Sequence, residues 1–407
     1  MCRAALAERL REERAGRVVL FVINSLDVGG TERHLLMIAP RLAANGFRPV
    51  VYTLTRRGNL SSRFEEAGIE VVGSANTSFL DRFSSRIGRV ILLSVSMLSL
   101  WRLIRRRDPG VVHFFLPASY LAGGLCSLAA GRRAYVMSRR SLNEYQQRHP
   151  VLARIEKRLH RRMSAILGNS RAVVRELGEE GVPADRLGLI YNGIDVSAFD
   201  RGPARAAARA LLGLNETTLV LTVVSNLIPY KGHRDLLDAL GRVRGGLSED
   251  WVLLCIGRDD GIGYALRTQA VALGVSPHVR WLGERQDVPE ILRARDIGIL
   301  CSHEEGFSNS ILEGMAARLP MIVTDVGGNP EAVLHGVTGL IVPPRDPVSL
   351  GNALVELASD SDRRGAMGES GRDRVVREFS LDACINRYER LYLSLCGGKS
   401  APVSEIL

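Results

Sequence analysis

Cysteine is scarce in this sequence and forms no recognisable motif. The six cysteines are spread over 407 residues, with no CxxC pair and no metal-ligand spacing. A disulfide scaffold and a structural zinc site are therefore not expected, and a reducing compartment such as the cytoplasm is favoured. Residues 1–17 carry charges without the apolar segment of a signal peptide, so we expect a lightly packed helix there.

Apolar runs long enough to cross a membrane are also missing. The stretch at residues 90–101 has twelve residues, whereas a membrane-spanning helix needs about 20. We predict a buried helix here. The alternative is a helix lying in a membrane interface, with Trp101 and the arginines that follow it at the headgroups.

The net charge of +10 is distributed unevenly. Residues 1–200 hold 31 Lys and Arg against 18 Asp and Glu, whereas residues 201–407 hold 23 against 26. Residues 102–162 alone hold 14 basic and three acidic residues. Such a segment forms either a solvated basic face or a surface for anionic lipid or a phosphate-bearing partner. Nucleic acid is not expected, because the sequence has no aromatic-interleaved basic motif and no recognition-helix pattern.

Apolar strand-like runs alternate with helical patterns along the chain. In the first half the runs cover residues 18–26, 49–55, 69–73, 111–116, 134–138, 165–170 and 188–195. In the second half they cover residues 219–227, 251–257, 279–283, 297–302, 321–327 and 340–344. Nearly continuous apolar strands separated by helices predict an α/β protein with parallel sheets covered on both faces.

A lapse of this pattern at residues 195–211 predicts a linker between two domains. We expect one α/β domain over residues 1–196 and a second over 197–380. A helix and tail over 381–407 would cross back towards the first domain. Two such domains are expected to face each other across a cleft, with ligands at the carboxyl ends of the strands.

The stretch HEEGFSNSILEGMA, residues 303–316, places a helix after a polar loop. Ser308 or Asn309 could cap this helix, whose N–H groups and dipole favour an anion such as phosphate. Glu313 lies beside an apolar face, so we expect it to be partly buried and to need donors such as those of a vicinal diol. A ribose beside a diphosphate would fit these features. The alternative is a solvated Glu313, with Glu305 only complementing the helix dipole.

Two further loops follow the first strand of each expected domain. In SNLIPYKGH, residues 225–233, Lys231 could reach a phosphate, or it could be an ordinary surface lysine. In LDVGGTERH, Gly29 and Gly30 open a helix and would allow a phosphate or sugar to approach closely. This second loop is not GxGxxG, and no acidic residue follows about 20 positions later, which disfavours a dinucleotide site.

Together these residues resemble the retaining glycosyltransferases of family 4, which have the GT-B fold of two facing Rossmann-like domains. The resemblance extends over residues 18–392. It rests on the segments GGTER, IYNGID, PYKGH, WLGERQDV, EGFSNSILEGMAARLPMIVTDVGG and GLIVPPRD. The most specific feature is the pair Glu305 and Glu313, separated by seven residues within the fifth segment.

The resemblance implies a role for each matching residue. Glu313 would hold the ribose hydroxyls, Glu305 would lie near the donor sugar, and Lys231 would bind the diphosphate. His113 would lie near the reactive centre of the sugar, with a satisfied buried histidine as the alternative. The other residues implied to contact the donor are Gly29, Gly30, Gly283, Glu284, Arg285, Gly306, Phe307, Ser308 and Asn309.

Two positions depart from the family pattern. Asn226 stands where an arginine usually precedes the lysine by five positions, so one charge on the diphosphate site is missing. Arg139 or Arg140 could replace it, or Lys231 and the helix N–H groups could bind the diphosphate alone. A second histidine that some relatives have, two residues after His113, is absent, so the sequence offers no other side chain for that role.

The implied activity is metal-independent transfer of a sugar from a UDP- or GDP-linked donor to an acceptor hydroxyl, with retained anomeric configuration. No cofactor is expected, because Lys231 and the helix dipole would supply the charge that Mg²⁺ supplies elsewhere. The acceptor would be a saccharide or lipid-linked molecule of surface-polysaccharide or glycolipid assembly, reached at the cytoplasmic face of the membrane. Alternatives are a nucleotide-sugar 2-epimerase of the same fold, a non-catalytic scaffold, and a glycosidase using Glu305 and Glu313.

Overall fold

The chain divides into two compact units. The computed structural model describes residues 17–73, 86–131, 134–142, 146, 149–247, 250–397 and 402–407. Within residues 86–131, side chains are described from residue 91 onward. The N-domain comprises Met1–Tyr191 with Cys384–Leu407, and the C-domain comprises Asn192–Ala383. The helix expected at the N-terminus lies outside the described residues, except for Arg17.

The N-domain contains a seven-stranded parallel sheet in the order β3-β2-β1-β4-β5-β6-β7. Its strands are β1 (Val18–Ser25), β2 (Arg48–Arg56), β3 (Glu70–Gly73), β4 (Val111–Phe115), β5 (Ala134–Arg139), β6 (Ala165–Gly168) and β7 (Leu187–Leu189). All seven predicted strands of this half are present. The last is much shorter than predicted, because β7 is an edge strand and its partner β6 ends at Gly168.

The C-domain contains a six-stranded parallel sheet in the order β10-β9-β8-β11-β12-β13. Its strands are β8 (Leu219–Val224), β9 (Trp251–Ile256), β10 (Val279–Gly283), β11 (Ile297–Leu300), β12 (Met321–Thr324) and β13 (Gly339–Val342). All six predicted strands are present. Strands β8, β11 and β12 end two or three residues before their predicted ends, since the residues that follow leave the sheet and form loops.

Helices connect the strands in both domains. The N-domain helices are α1 (Gly30–Ala44), α2 (Ser61–Glu66), α3 (Arg86–Arg107), α4 (Pro117–Leu128), α5 (Pro150–His160), α6 (Arg171–Glu179) and α16 (Val403–Ile406). The C-domain helices are α7 (Arg205–Leu211), α8 (His233–Val243), α9 (Gly263–Ala272), α10 (Val288–Leu292), α11 (Asn309–Ala316), α12 (Asn329–Ala332), α13 (Pro347–Ser359) and α14 (Ser361–Glu378). Helix α15 (Leu381–Cys396) begins in the C-domain and continues into the N-domain from Cys384.

The segment predicted as a linker is helical and packs on the C-domain. Residues Val196–Phe199 form a short 3₁₀ helix, and Arg205–Leu211 form α7. Arg209 is 1% exposed and donates to the carbonyl oxygen of Ala294 at 3.1 Å. The linker prediction was wrong here because a run of alanine and arginine has no apolar periodicity, although an arginine can be buried when its donors meet carbonyl oxygens.

Helix α3 confirms the helix predicted at residues 90–101 and is longer at both ends. Its buried face includes Leu100 and Ile104, which pack into the N-domain core. The opposite face exposes three apolar side chains, by 49%, 44% and 46% respectively: Ile91, Val95 and Leu98. The expectation of a buried helix is therefore correct for one face only. In the described part of the chain, no helix has the length and apolarity required to cross a membrane.

Candidate active site

Loops from neighbouring strands meet at the carboxyl edge of the C-domain sheet. Strand β8 has β9 on one side and β11 on the other, and all three strands are parallel. The strand order therefore reverses between β8 and β11, which is where sheets of this kind bind ligands. The loop at 225–233 follows β8, and the loop at 301–308 follows β11.

Lys231 and Glu305 form an ion pair that joins these two loops. The Nζ of Lys231 lies 2.5 Å from Oε1 of Glu305, and the hydroxyl of Ser302 donates to the same oxygen at 2.8 Å. The lysine and glutamate side chains are only 16% and 10% exposed. Burial alone would lower the pKa of Lys231, but the Glu305 carboxylate holds that pKa above its ordinary value. The structure therefore brings two predicted site residues together and keeps the lysine charged.

Two glycines allow the loop backbones to approach closely. Gly232 has a φ of 71°, and a Cβ there would lie 1.9 Å from the carbonyl oxygen of Cys301. Gly327, after β12, has a φ of 52°, and a Cβ there would lie 1.7 Å from the carbonyl oxygen of Glu305. Because both contacts are with backbone, a side chain at either position would displace the loops that hold the ion pair.

Helix α11 begins four residues after Glu305 and presents its N-terminus at the same edge. Ser308 occupies the N-cap position, but its hydroxyl does not cap the helix and instead lies 2.9 Å from the hydroxyl of Ser310. The expectation of side-chain capping by Ser308 was therefore wrong. The first-turn N–H groups are not capped by that side chain, and the helix dipole directs partial positive charge towards the loop.

Asn192 positions the start of α11. Its buried amide group donates to the carbonyl oxygen of Phe307 at 2.9 Å and to the side-chain oxygen of Asn309 at 2.7 Å. Phe307 and Asn309 are both residues that the family resemblance implies to contact the sugar donor. Sequence reasoning missed this role, and the signal that could have found it is the segment IYNGID, which contains Asn192.

Glu313 is half-buried, as predicted. The neighbouring apolar side chains that were expected to bury it are themselves buried: Ile311, Leu312, Met315 and Leu319. Glu313 is also close enough to the buried Arg295 to raise the pKa of that guanidinium against the opposing effect of burial. A half-buried carboxylate on the helix that follows Glu305 suits recognition of paired hydroxyl groups.

Asn226 ties two loops of this edge together. Its amide nitrogen donates to Asp260 at 3.1 Å, and its amide oxygen accepts the backbone N–H of Arg258 at 3.2 Å. These contacts use the side chain to hold the loop after β9. The three exposed residues expected beside the base lie at the carboxyl end of β10, at the same edge: Gly283, Glu284 and Arg285.

Gly29 and Gly30 lie after β1 at the start of α1 in the N-domain. Strand β1 lies between β2 and β4, so this loop also leaves the sheet where the strand order reverses. Gly30 is exposed, and a Cβ added to it would meet no atom within 4 Å. Gly29, at the N-cap position, has no side chain to cap the 15-residue helix. The Glu32 carboxylate also lies over this turn, where a Cβ on Gly29 would meet its Oε2, so the helix start already carries a negative charge.

His113 is buried in the interior of the N-domain. Its Nδ1 lies 2.7 Å from the hydroxyl of Tyr392, its Nε2 lies 2.8 Å from the hydroxyl of Ser138, and its ring stacks on Phe115. Burial, together with the nearby Arg140, lowers the pKa of His113 well below its ordinary value. These contacts are those of a satisfied core histidine and give no support to a catalytic role for His113.

Arg139 is already engaged in a buried ion network. It is 3% exposed, donates to Glu156 at 2.6 Å and bonds both carboxylate oxygens of Glu180. Within the described residues, Glu156, His160 and Glu180 form the one group of side chains close enough together to hold a metal ion. The Arg139 guanidinium already pairs with both carboxylates, so we interpret this group as structural. Arg140, the other candidate for the missing diphosphate arginine, is half-buried in the same domain.

Two family models match this chain. Residues 28–198 match the model described as Glycosyltransferase Family 4, and residues 218–360 match the model described as Glycosyl transferases group 1. The chain belongs to the family 4 glycosyltransferases. Lys231, Glu305 and Glu313 lie inside the second matched segment, and the glycine loop at the start of α1 lies inside the first.

Curated relatives of this family 4 glycosyltransferase match over part of their length. N-acetyl-alpha-D-glucosaminyl L-malate synthase of Bacillus anthracis is 29% identical over 224 residues, which are 55% of this chain and 58% of that protein. D-inositol 3-phosphate glycosyltransferase of Thermobispora bispora is 32% identical over 238 residues, which are 56% of this chain and 55% of that protein. The chain therefore spans little more than half the length of these relatives.

Solved structures confirm the predicted GT-B fold, with its two Rossmann-like domains. Anabaena HepE, crystallised in complex with UDP, has a TM-score of 0.80 at 22% identity, covering 93% of this chain and 100% of HepE. Sucrose-phosphate synthase from Thermosynechococcus elongatus has a TM-score of 0.77 at 19% identity, covering 94% of this chain and 100% of that protein. At these identities the likeness establishes the fold.

Proposed function

We propose that this chain transfers a sugar from a nucleoside-diphosphate sugar to an acceptor hydroxyl, with retained anomeric configuration. The observation that carries the proposal is the Lys231–Glu305 ion pair at the β8–β11 switch point, followed directly by the start of α11. A charged lysine and a helix N-terminus on one edge are two groups that stabilise the negative charge developing on a departing diphosphate.

Each residue of the site has a separate task in this reaction. The bond between the anomeric carbon and the diphosphate breaks, and its electron pair moves to the diphosphate oxygen, where Lys231 and the α11 N–H groups stabilise it. The acceptor oxygen bonds to the anomeric carbon from the same face, and its proton passes to the departing phosphate. Glu313 holds the ribose hydroxyls, and Glu305 orients Lys231 beside the sugar. Protein groups then supply the positive charge, in keeping with a metal-independent reaction.

The basic N-domain supports an anionic acceptor. Helix α5 and the turn after it expose five basic side chains: Arg154, Lys157, Arg158, Arg161 and Arg162. The Thermobispora bispora relative is named for an inositol phosphate acceptor, which also carries negative charge. We propose a lipid-linked or polyanionic saccharide acceptor, reached at the cytoplasmic face of the membrane during surface-polysaccharide or glycolipid assembly.

A donor panel followed by product analysis tests the proposal. UDP, GDP and their sugars are screened by thermal shift, starting with UDP-glucose, because a donor at 100 times its Kd stabilises the fold by about 2.7 kcal/mol. We expect the matched donor to release its nucleoside diphosphate and to enlarge an acceptor by one sugar with unchanged anomeric configuration. An epimerised nucleotide sugar without a glycosylated acceptor, or an inverted anomer, would overturn the proposal.

A further inference from the structure

A second group of charged residues surrounds a cavity at the opposite edge of the C-domain sheet. The cavity has a volume of about 460 Å³ and reaches Leu219 and Asp296, at the amino ends of β8 and β11. Five arginines contribute to its lining: Arg205, Arg209, Arg295, Arg318 and Arg364. The lining also includes two carboxylates, Glu216 and Asp296, so its formal charge balance is five positive against two negative groups.

Arg295 lines this cavity with a guanidinium group whose hydrogen-bond donors have no acceptor among the described residues. It is 2% exposed, and none of its three guanidinium nitrogens has a hydrogen-bond partner among the described residues. Burial lowers the pKa of Arg295 to about 9, against the opposing effects of Cys255 and Glu313, so the group remains a cation at neutral pH. A buried cation with unpaired donors is costly unless an anion accepts from it.

The neighbouring arginines are already satisfied in different ways. Arg205 donates to Asp296 at 2.7 Å and to the backbone carbonyl of Arg295 at 2.6 Å. Arg209 lies 3.5 Å from the same aspartate and donates to backbone carbonyls. Asp296 therefore balances charge on the α7 side of the cavity, whereas the Arg295 guanidinium donates no hydrogen bond to a described residue, and Glu313 acts on it only from a distance.

The start of α14 adds a further arginine to the other side of the cavity. Ser361, Arg364 and Gly365 line the cavity and belong to the start of this 18-residue helix. Arg364 donates to the carbonyl oxygens of Leu357 and Ala358 at 2.7 and 2.8 Å, which satisfies its hydrogen bonds but does not neutralise its charge. The Asp360 carboxylate caps this helix by accepting the backbone N–H of Arg363 and offsets the helix dipole, so Arg364 is what adds positive charge on this side.

We propose that this cavity binds a small phosphate-type anion, either free phosphate or the phosphate group of a small metabolite, with Arg295 as its principal ligand. Phosphate oxygens supply the acceptors that the guanidinium nitrogens need, and arginine binds them with two parallel hydrogen bonds. The volume of about 460 Å³ falls in the range of small-molecule sites. The cavity lies at the opposite edge of the sheet from Lys231, although its ligand Arg295 is also close to Glu313 of the proposed donor site.

Calorimetric titration of inorganic phosphate at constant ionic strength tests the proposal. Because phosphate could also bind near Lys231, the titration is repeated in Lys231→Ala, and Arg242→Gln removes an exposed arginine of α8 as the matched control. We expect one phosphate per chain in the wild type, in Lys231→Ala and in Arg242→Gln, and at least tenfold weaker binding in Arg295→Met. Absence of binding to the wild type, binding unaffected by Arg295→Met, or binding lost only in Lys231→Ala would overturn the proposal.

Two further measurements keep the proposal testable if Arg295→Met does not fold. Arg364→Gln should also weaken phosphate binding, and tungstate soaked into crystals should give an anomalous peak within about 3 Å of the Arg295 guanidinium. A tungstate peak confined to the Lys231 edge would contradict the proposal. A hexose phosphate titrated in parallel distinguishes the two sources: tighter binding than inorganic phosphate indicates a metabolite, and equal binding indicates free phosphate.

Discussion

Lys231 is the residue on which the proposed chemistry depends most. In Lys231→Ala the departing diphosphate loses a fixed cation, so we expect kcat for sugar transfer to fall about 10²–10³-fold, as when one stabilising donor is removed from an active site. Lys231→Arg keeps the charge and should lose less. Steady-state transfer kinetics measure the effect, and thermal melts of all three proteins show that the fold is retained. Wild-type kcat in the alanine variant would contradict the assigned role.

His233 makes the stability of the C-domain depend on pH. Burial and the nearby Lys231 lower the pKa of His233 to about 4, from an ordinary value of about 6.5. The unfolded chain therefore binds a proton below about pH 6.5, and the folded chain does so only below about pH 4. This contribution to stability is complete above pH 6.5 and is lost as the pH falls to 4, by about 3 kcal/mol.

Denaturant unfolding at pH 7 and at pH 4.5 measures this loss for the wild type and for His233→Gln. The glutamine has no proton to gain over this range, so its free energy of unfolding should fall by about 2 kcal/mol less than that of the wild type. The same pH dependence in both proteins would show that another group is responsible. His34 and His113, whose pKa values are also lowered well below the ordinary value, remain in both proteins and contribute equally.

Residue roles that depend on local sequence could be predicted, and those that depend on distant contacts could not. Glu313 lies beside a run of apolar residues, so its partial burial followed from its own helix. Asn192 acts on residues 115 and 117 positions away, and no local spacing shows this. His113 has a residue type suited to catalysis, but its contacts with Ser138 and Tyr392 occupy both ring nitrogens.

At the scale of elements, the parallel strands were the easiest features to predict. A strand covered on both faces is apolar along its whole length, so β1, β4 and β8 stand out in the sequence. Helix α7 was missed because its buried surface includes the arginine Arg209 instead of an apolar stripe. Helix α3 was predicted as a helix, but its sequence does not show which apolar face packs on the core and which stays exposed.

The turn between Lys231 and α8 should be intolerant of any side chain. Gly232→Ala would place a Cβ 1.9 Å from the carbonyl oxygen of Cys301 in a left-handed backbone conformation. We expect the free energy of unfolding to fall by more than about 3 kcal/mol, the upper end for backbone strain alone. Gly213→Ala is the matched control, because Gly213 has a φ of 60° in the same domain with no atom within 4 Å of its Cβ.

Chemical denaturation of both glycine variants separates strain from the clash. Gly213→Ala should lose about 1 kcal/mol, because it carries only the cost of a left-handed alanine. Gly232→Ala should lose more and should also lose transfer activity, since the loop that carries Lys231 must move. Equal losses in the two variants would show that the contact with Cys301 is relieved at little cost and that the two loops are not held together by this turn.

At the scale of the whole molecule, the basic charge of the N-domain lies in the same domain as a group of exposed apolar side chains on helix α3. Helix α3 exposes Ile91, Val95 and Leu98 by 44–49% and ends in three consecutive arginines. Helix α4, which packs beside α3, exposes Leu125 by 48%. Apolar side chains that insert between lipids and arginines that pair with anionic headgroups are the two components of an interfacial helix. Such a surface would bind the protein to the membrane in which the proposed lipid-linked acceptor lies.

Vesicle sedimentation tests this surface directly. We expect the wild type to bind phosphatidylglycerol vesicles at low salt and to be released as the salt concentration rises. The reason is that salt screens the attraction between the arginines and the anionic headgroups, within about 10 Å at 0.1 M. Changing Ile91, Val95 and Leu98 to serine should weaken binding at least tenfold, or about 1.4 kcal/mol, with donor binding unchanged. The matched control changes three exposed apolar residues of the C-domain to serine: Leu211, Val271 and Val376. Equal vesicle binding by both triple variants would exclude α3 as the membrane contact, and salt-independent binding would exclude its arginines.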